Sequence, residues 1–270
     1  MTFRLPTGIR STVTTGRYYS TGRRSCTGRP RCHVGSMIAE MCGRYSLSVP
    51  AEALAALFRF AMSEPLKSRF NIAPTQLAPV VRLDDDDQRS LALLRWGLVP
   101  RWAKDLSIGS RLINARSETV DEKPSFRDAY RRRRCLIPAS GFFEWKKLPS
   151  GTKQPYFIHP AGDEPIAMAG LWERWGGTDA SDPSETFTVL TTSANGTLQG
   201  LHDRMPVIIA PADFDRWLNP SNDAGVLLRP AADDLLAMHP VSTRVNSPKR
   251  DDPSLVEPIS DGEPDEPSVT

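Results

Sequence analysis

Apolar and polar positions alternate along most of this chain in short runs, and long helical stretches are rare. Residues 43–49, GRYSLSV, change character at successive steps and predict a strand. Residues 50–60, PAEALAALFRF, place apolar side chains at helical spacing behind a proline suited to a first turn, which predicts a short helix. LAPVVRL (77–83) and LALLRWGLV (91–99) flank the acidic loop Asp84–Asp87 and predict a hairpin. RCLIPASGFFEWKKL, QPYFIH, IAMAGLWERW and ETFTVLTTSA follow as short strands broken by Gly, Pro and polar turns. PADFDRWLN (211–219) and ADDLLAM (232–238) predict short helices with acids in their first turns. Strands in succession, a few inserted helices and no βαβ rhythm predict an α+β fold. The expectation is a single domain built on a mainly antiparallel, barrel-like β-sheet with a few short helices.

The pattern stops at both ends. Residues 1–40 are rich in Thr, Ser, Gly and Arg and lack both aliphatic periodicity and the apolar core of a secretion signal, so they are not expected to pack. They read either as an Arg-rich targeting segment or as sequence translated from a start upstream of Met41. From Ser247 to Thr270 the chain turns rich in Pro, Asp and Glu, and a disordered tail is expected. The domain should therefore span 41–246.

Composition narrows the function. The net charge of +2 conceals seven Arg and one acid in residues 1–40, against 27 basic and 31 acidic residues from Met41 onward. Any nucleic-acid affinity must then come from a local patch. The longest apolar runs fall short of the roughly 18 residues a membrane helix needs. Cys26, Cys32, Cys42 and Cys135 form no CxxC pair or regular framework, which points to a reducing, cytoplasmic setting. The four His include no HExxH spacing, so neither a metal nor another cofactor is expected, the Cys26, Cys32 and His33 group included.

Cys42 carries the sharpest chemistry. If Met41 begins the functional chain and is removed, Cys42 gains a free α-amine beside its thiol. Such a 1,2-aminothiol condenses with an aldehyde to an imine, and the thiol closes the imine to a five-membered thiazolidine. Alternatively, Cys42 is a buried residue of the first strand.

MCGRYSL, RFNIAP, RWGLVPRWA, LINARSET, CLIPASGFFEWKK, LTTSAN, HDRMPVI and HPVSTRVN occur in this order between Met41 and Asn246. Together they resemble the SOS response-associated peptidase family, whose members process abasic sites and crosslink to single-stranded DNA. The resemblance implies that Cys42 is the nucleophile that attacks the ring-opened aldehyde, with residues 1–40 a departure that would block its amine. It implies that Asn114 orients the sugar, Arg116 contacts phosphate, and Glu144 and His202 move protons. The residues themselves also admit plainer roles: a turn for Asn114, an outward-facing strand position for Glu144, and a structural His for His202. His239, inside the HPVSTRVN motif, is assigned only packing or a supporting role behind the site residues.

For DNA, Arg44, Arg69, Arg101, Arg116 and Arg204 are candidate phosphate contacts, with Trp102 as a stacking platform. Pro100 predicts a loop that exposes Trp102 and buries Trp96. Arg131–Arg134 reads equally as a solvated helix end or a peripheral DNA contact. The leading expectation is a monomeric abasic-site sensor acting on single-stranded DNA of the nucleoid, able to remove the residues preceding Cys42. A Cys–His protease of other proteins and a non-catalytic single-strand binding module are the alternatives.

Overall fold

The alternating run after Gly43 forms β1 (Arg44–Leu47), in which Tyr45, Ser46 and Leu47 are all buried. This is a computed structural model, and it describes residues 43–62, 65–176 and 184–259. Residues 1–42, including the expected extension and Cys26, Cys32, His33 and Cys42, lie outside the described residues.

Helix α1 (Ala51–Phe58) follows β1 behind Pro50 and buries Leu54 and Phe58, one turn apart. After β2 (Arg69–Ile72), β3 (Leu77–Leu83) and β4 (Arg89–Trp96) pair antiparallel around the acidic turn, as the sequence predicts. Next come the short β5 (Asn114–Arg116), the helix α2 (Arg127–Arg132), β6 (Arg134–Ala139) and β7 (Gly141–Lys147). β8 (Lys153–Pro160), β9 (Ile166–Trp175), β10 (Ser184–Ser193), β11 (Arg204–Pro206), α3 (Phe214–Leu218) and β12 (Leu236–Pro240) complete the regular elements.

Five strands close a barrel in the order β4-β3-β6-β9-β10, and β10 returns to β4. Every pairing in this ring is antiparallel except the closing seam, where Thr186 and Phe187 run parallel to Arg95 and Trp96. β5 continues that parallel seam along β10, and β11 extends the other side. A second, wholly antiparallel sheet has the order β12-β8-β7-β1-β2. The chain passes between the two sheets at Ser140, whose N–H donates to Ser46 O and whose hydroxyl accepts from Ser48 N, both at 2.8 Å.

The main core lies between barrel and sheet. Tyr45 of the sheet meets Trp96 of the barrel edge-on at 5.2 Å, and Trp96 stacks on Phe187 at 6.2 Å. α1 and α3 close one side through stacked Phe58 and Phe214, 5.0 Å apart. A smaller cluster of Phe143, Phe157, Val241, Val245 and Leu255 covers the other face of the sheet. The sheet is thus buried on both faces, which explains why β7 carries Phe142 and Phe143 at consecutive positions and why Ser46 of β1 is buried between Tyr45 and Leu47.

Two sequence expectations need correction. ADDLLAM is not a helix: Ala232–Leu235 turns and Leu236 begins β12, which pairs with β8. Asp233 explains the turn, because its carboxylate accepts from Gly196 N at 2.7 Å and its carbonyl from the Thr197 hydroxyl at 2.6 Å. The tail also does not begin at Ser247. Asp251 accepts from Phe70 N and Asn71 N, pairs with Arg69, and Leu255 is fully buried, so the packed chain continues to Ile259.

Candidate active site

Strand pairing brings Glu144 to the start of the described chain. In the β1–β7 register Arg44 faces Phe143 and Tyr45 faces Phe142, so one step further Gly43 falls opposite Glu144. Alternation along β7 sends Phe143 into the small cluster and Phe142 into the main core, and Glu144 shares the Phe142 face. The outward position considered for Glu144 is therefore not the one found: it is 5% exposed, with Oε1 accepting from Trp145 N at 3.1 Å.

A second group collects on β10. Asn114 and Arg116 of β5 pair with Val189 and Thr191, while Thr191, Thr192 and Ser193 pair on the other side with Pro206, Met205 and Arg204. Trp96 links the two groups: its indole donates to the carbonyl of Ile113 at 2.9 Å while its ring packs on Tyr45, two residues from Gly43. Asn114 is thus held beside the core contact that joins barrel and sheet. Arg116 is exposed at the end of β5.

His202 lies two residues before the start of β11 and is partly buried. Its Nδ1 accepts from Arg204 N at 3.0 Å and also lies 3.0 Å from Asp203 Oδ1. One nitrogen cannot satisfy both partners at once. A neutral ring accepts the amide proton and keeps its own proton on Nε2, whereas a protonated ring donates from Nδ1 to Asp203.

The remaining arginines differ sharply in availability. The Arg204 guanidinium pairs with both carboxylate oxygens of Glu118 and donates to the carbonyl of Thr191 at 2.7 Å and its hydroxyl at 3.2 Å. Arg44 donates to Asn71 Oδ1 and to the carbonyls of Val245 and Asn246, and burial lowers its pKa. Arg69 pairs with Asp251 and Gln76. These three, expected at phosphates, are engaged within the chain. Arg101 and Arg116 are exposed. The Arg131–Arg134 run divides: Arg131 and Arg132 are exposed on α2, Arg133 pairs with Glu173, and Arg134 is buried beneath four main-chain carbonyls.

Trp96 is fully buried and Trp102 is 60% exposed, as the proline-containing loop suggests. That loop is built on a close approach of two glycines. Gly97 has φ +122°, and a Cβ there would lie 2.5 Å from Gly109 O. Gly97 N donates to Phe187 O, Leu98 N to Leu112 O and Val99 N to the Thr186 hydroxyl, anchoring the loop to the barrel seam. Further out, the Trp175 indole donates to Ala103 O at 2.8 Å. The scaffold is fixed while the Trp102 ring faces solvent.

Among the described residues Cys135 is the free cysteine, and it is a poor nucleophile: it is fully buried, and desolvation pushes its thiol up. His239 lies in β12, bonds Val256 O at 2.9 Å and packs against Phe157 and His159. Sequence reasoning passed over Glu118 and Thr191, although both stand inside motifs it singled out. The available signal was the acid in LINARSET, whose partner Arg204 lies 86 residues away.

Barrel, sheet and site together define a known class of protein. Residues 41–248 match the model of the family described as SOS response associated peptidase (SRAP), and the chain belongs to that family. The chain is 40% identical over 224 residues to the abasic site processing protein YoqW of Bacillus subtilis, covering 80% of this chain and 99% of the relative. It is 32% identical to the abasic site processing protein HMCES of Gallus gallus, covering 85% of this chain and 81% of that one. A crystal structure of a protein from Bacteroides thetaiotaomicron superposes with a TM-score of 0.72 at 27% identity, covering 81% of this chain and all of that one. Among the described residues no helix is long and apolar enough to cross a membrane.

Proposed function

We propose that this chain is a DNA-processing enzyme that binds single-stranded DNA and joins Cys42 covalently to abasic sites. The observation that carries the reading is the family match beginning at residue 41, shared with relatives named as abasic site processing proteins. Crosslinking requires a free amine at Cys42, so removal of the preceding residues is part of the proposed function, by this chain itself or by an aminopeptidase.

The chemistry balances with one water released. The Cys42 amine adds to the C1′ aldehyde of the opened sugar and loses water to give an imine, and the thiol then adds across C=N to close the thiazolidine. Carbinolamine dehydration needs a proton donor, and ring closure needs a thiolate. A carboxyl shielded from water, such as Glu144 opposite Gly43, suits proton transfer to the departing hydroxyl. Neutral His202 carries its ring proton on Nε2, where it can hydrogen-bond the sugar oxygen released by ring opening. Asn114 orients the sugar without adding charge. Arg116, Arg101 and the Trp102 ring meet the strand; Arg204 would meet a phosphate only by exchanging the Glu118 carboxylate.

A Cys–His protease acting on other proteins through Cys42 would need no free amine, so activity of a protein whose Cys42 amine is blocked would favour that alternative. A crosslinked product contains one protein copy, so a monomer suffices.

The test is intact mass spectrometry after incubation with an abasic single-stranded oligonucleotide. Protein beginning at Cys42 should gain the mass of the oligonucleotide less one water, and Cys42→Ala should not. Failure of the Cys42-initiated protein to form this adduct would overturn the reading.

A further inference from the structure

The Glu118–Arg204 pair spans three strands of the candidate site. Glu118 lies in the turn directly after β5, which carries Asn114 and Arg116. Arg204 begins β11, directly after His202 and Asp203. Between them runs β10, whose Thr191 offers its carbonyl and hydroxyl to the same guanidinium nitrogen that meets Glu118 Oε2. The Thr191 hydroxyl in turn donates to Ala115 O at 3.4 Å. Across β10, Thr191 is therefore the common point of β5 and β11.

Arg204 acts on His202 from its other end. Its main-chain N–H is the donor to His202 Nδ1, and that bond decides which nitrogen of the neutral ring keeps the proton. A residue that fixes the Arg204 side chain thereby limits where its main chain can sit. Arg204 shows 15% side-chain exposure and Glu118 49%, so the carboxylate covers the fork from the solvent side. Hydrogen bonding to Arg204 is also the largest influence holding the Glu118 carboxyl below the usual carboxylate range, so the pair is intact at neutral pH.

We propose that Glu118 is a positioning residue of this site: by holding the Arg204 side chain across β10, it fixes the amide that sets the His202 tautomer and ties His202 to the Asn114–Arg116 strand. This rests on the function proposed above. Glu118 itself touches no reacting atom.

The experiment compares Glu118→Gln and Glu118→Asp with wild type in three measurements. Adduct formation is timed with saturating abasic oligonucleotide, affinity is measured with an undamaged oligonucleotide of the same length at several salt concentrations, and the His202 ring nitrogens are followed by 15N NMR. Positioning predicts that Glu118→Gln slows the adduct rate roughly tenfold to a hundredfold, with affinity and its salt dependence unchanged. The NMR signature of the variant should shift from a single Nε2–H tautomer to a mixture, and Glu118→Asp should recover part of the rate. Two results would overturn the proposal: an unchanged rate and tautomer in Glu118→Gln, or tighter DNA binding at an unchanged rate, which would make Glu118 a competitor of phosphate for Arg204. If wild type forms no adduct, the functional reading fails, and the His202 tautomer alone still decides the positioning role.

Discussion

Arg134 shows how residue type alone misleads. In sequence it closes a four-Arg run suited to a solvated surface or a polyanion, yet it is 5% exposed and donates to the carbonyls of Tyr130, Trp217, Asn219 and Asn222. Arg134→Ala should leave these carbonyls short of donors and cost roughly 3 kcal/mol or more in urea unfolding, while affinity for single-stranded DNA stays unchanged. Arg131→Ala and Arg132→Ala, on the exposed face, should leave stability within about 0.5 kcal/mol. Glu118 makes a matching point about pH. Its folded carboxyl titrates below the unfolded one because Arg204 holds the ionised form, so its contribution is complete above the unfolded value of about 4.3. That contribution disappears as pH falls through the folded value. Acid titration of stability should show wild type losing more than Glu118→Gln below about pH 4.5, and the two curves should converge. Apart from Tyr130, the partners of Arg134 and Glu118 lie 83 to 88 residues away in sequence, which is why pattern reading identified Arg204 as a cation but could not see that the cation was already satisfied.

At the level of elements, the chain was most legible where local pattern and packing agree. The β3–β4 hairpin and α1 follow from an acidic turn and from apolar spacing of four, and both form where expected. Legibility failed where a distant segment sets the conformation. ADDLLAM has helical composition, but Asp233 is used by Gly196 and Thr197, and β8 offers Leu236 an open strand edge. The stretch after Ser247 has the composition of a tail, yet Asp251 caps the amides of β2 and Leu255 fills the small cluster beneath Phe143. Leu255→Ala should therefore cost roughly 2–4 kcal/mol, measured by denaturant unfolding, whereas a truly disordered tail would register no loss. Because Phe143 precedes Glu144 on β7, this substitution should also slow adduct formation more than its effect on DNA affinity explains.

Across the whole domain, the sheet carries Glu144 and adjoins Gly43, the first described residue, the barrel side carries Asn114, Arg116 and His202, and Trp96 with Tyr45 joins the two halves. An ordered set of motifs spread over 200 residues is what such a site requires, since no single element contains it. The same geometry constrains DNA binding. From Met41 onward acids outnumber bases, and Arg44, Arg69 and Arg204 spend their charge inside the fold, so under the proposed function a single strand would be captured by few exposed groups. Trp102 is the prominent one: an exposed ring on a loop whose base is locked by Gly97 and Gly109. A stacking ring tolerates any base, which suits a lesion that carries none and is defined by its neighbours. Trp102→Ala should weaken single-strand affinity by roughly 1–3 kcal/mol with a nearly unchanged melting temperature, because the ring is 60% exposed and, among the described residues, its indole makes only a long, exposed bond to Pro124 O at 3.4 Å. The salt dependence should also persist, since stacking releases no counterions, whereas Arg116→Ala should reduce the slope of log affinity against log salt by about 0.7. Fluorescence anisotropy with an undamaged oligonucleotide at three salt concentrations separates the two, and a Trp102→Ala protein that binds like wild type would remove the loop from the DNA path.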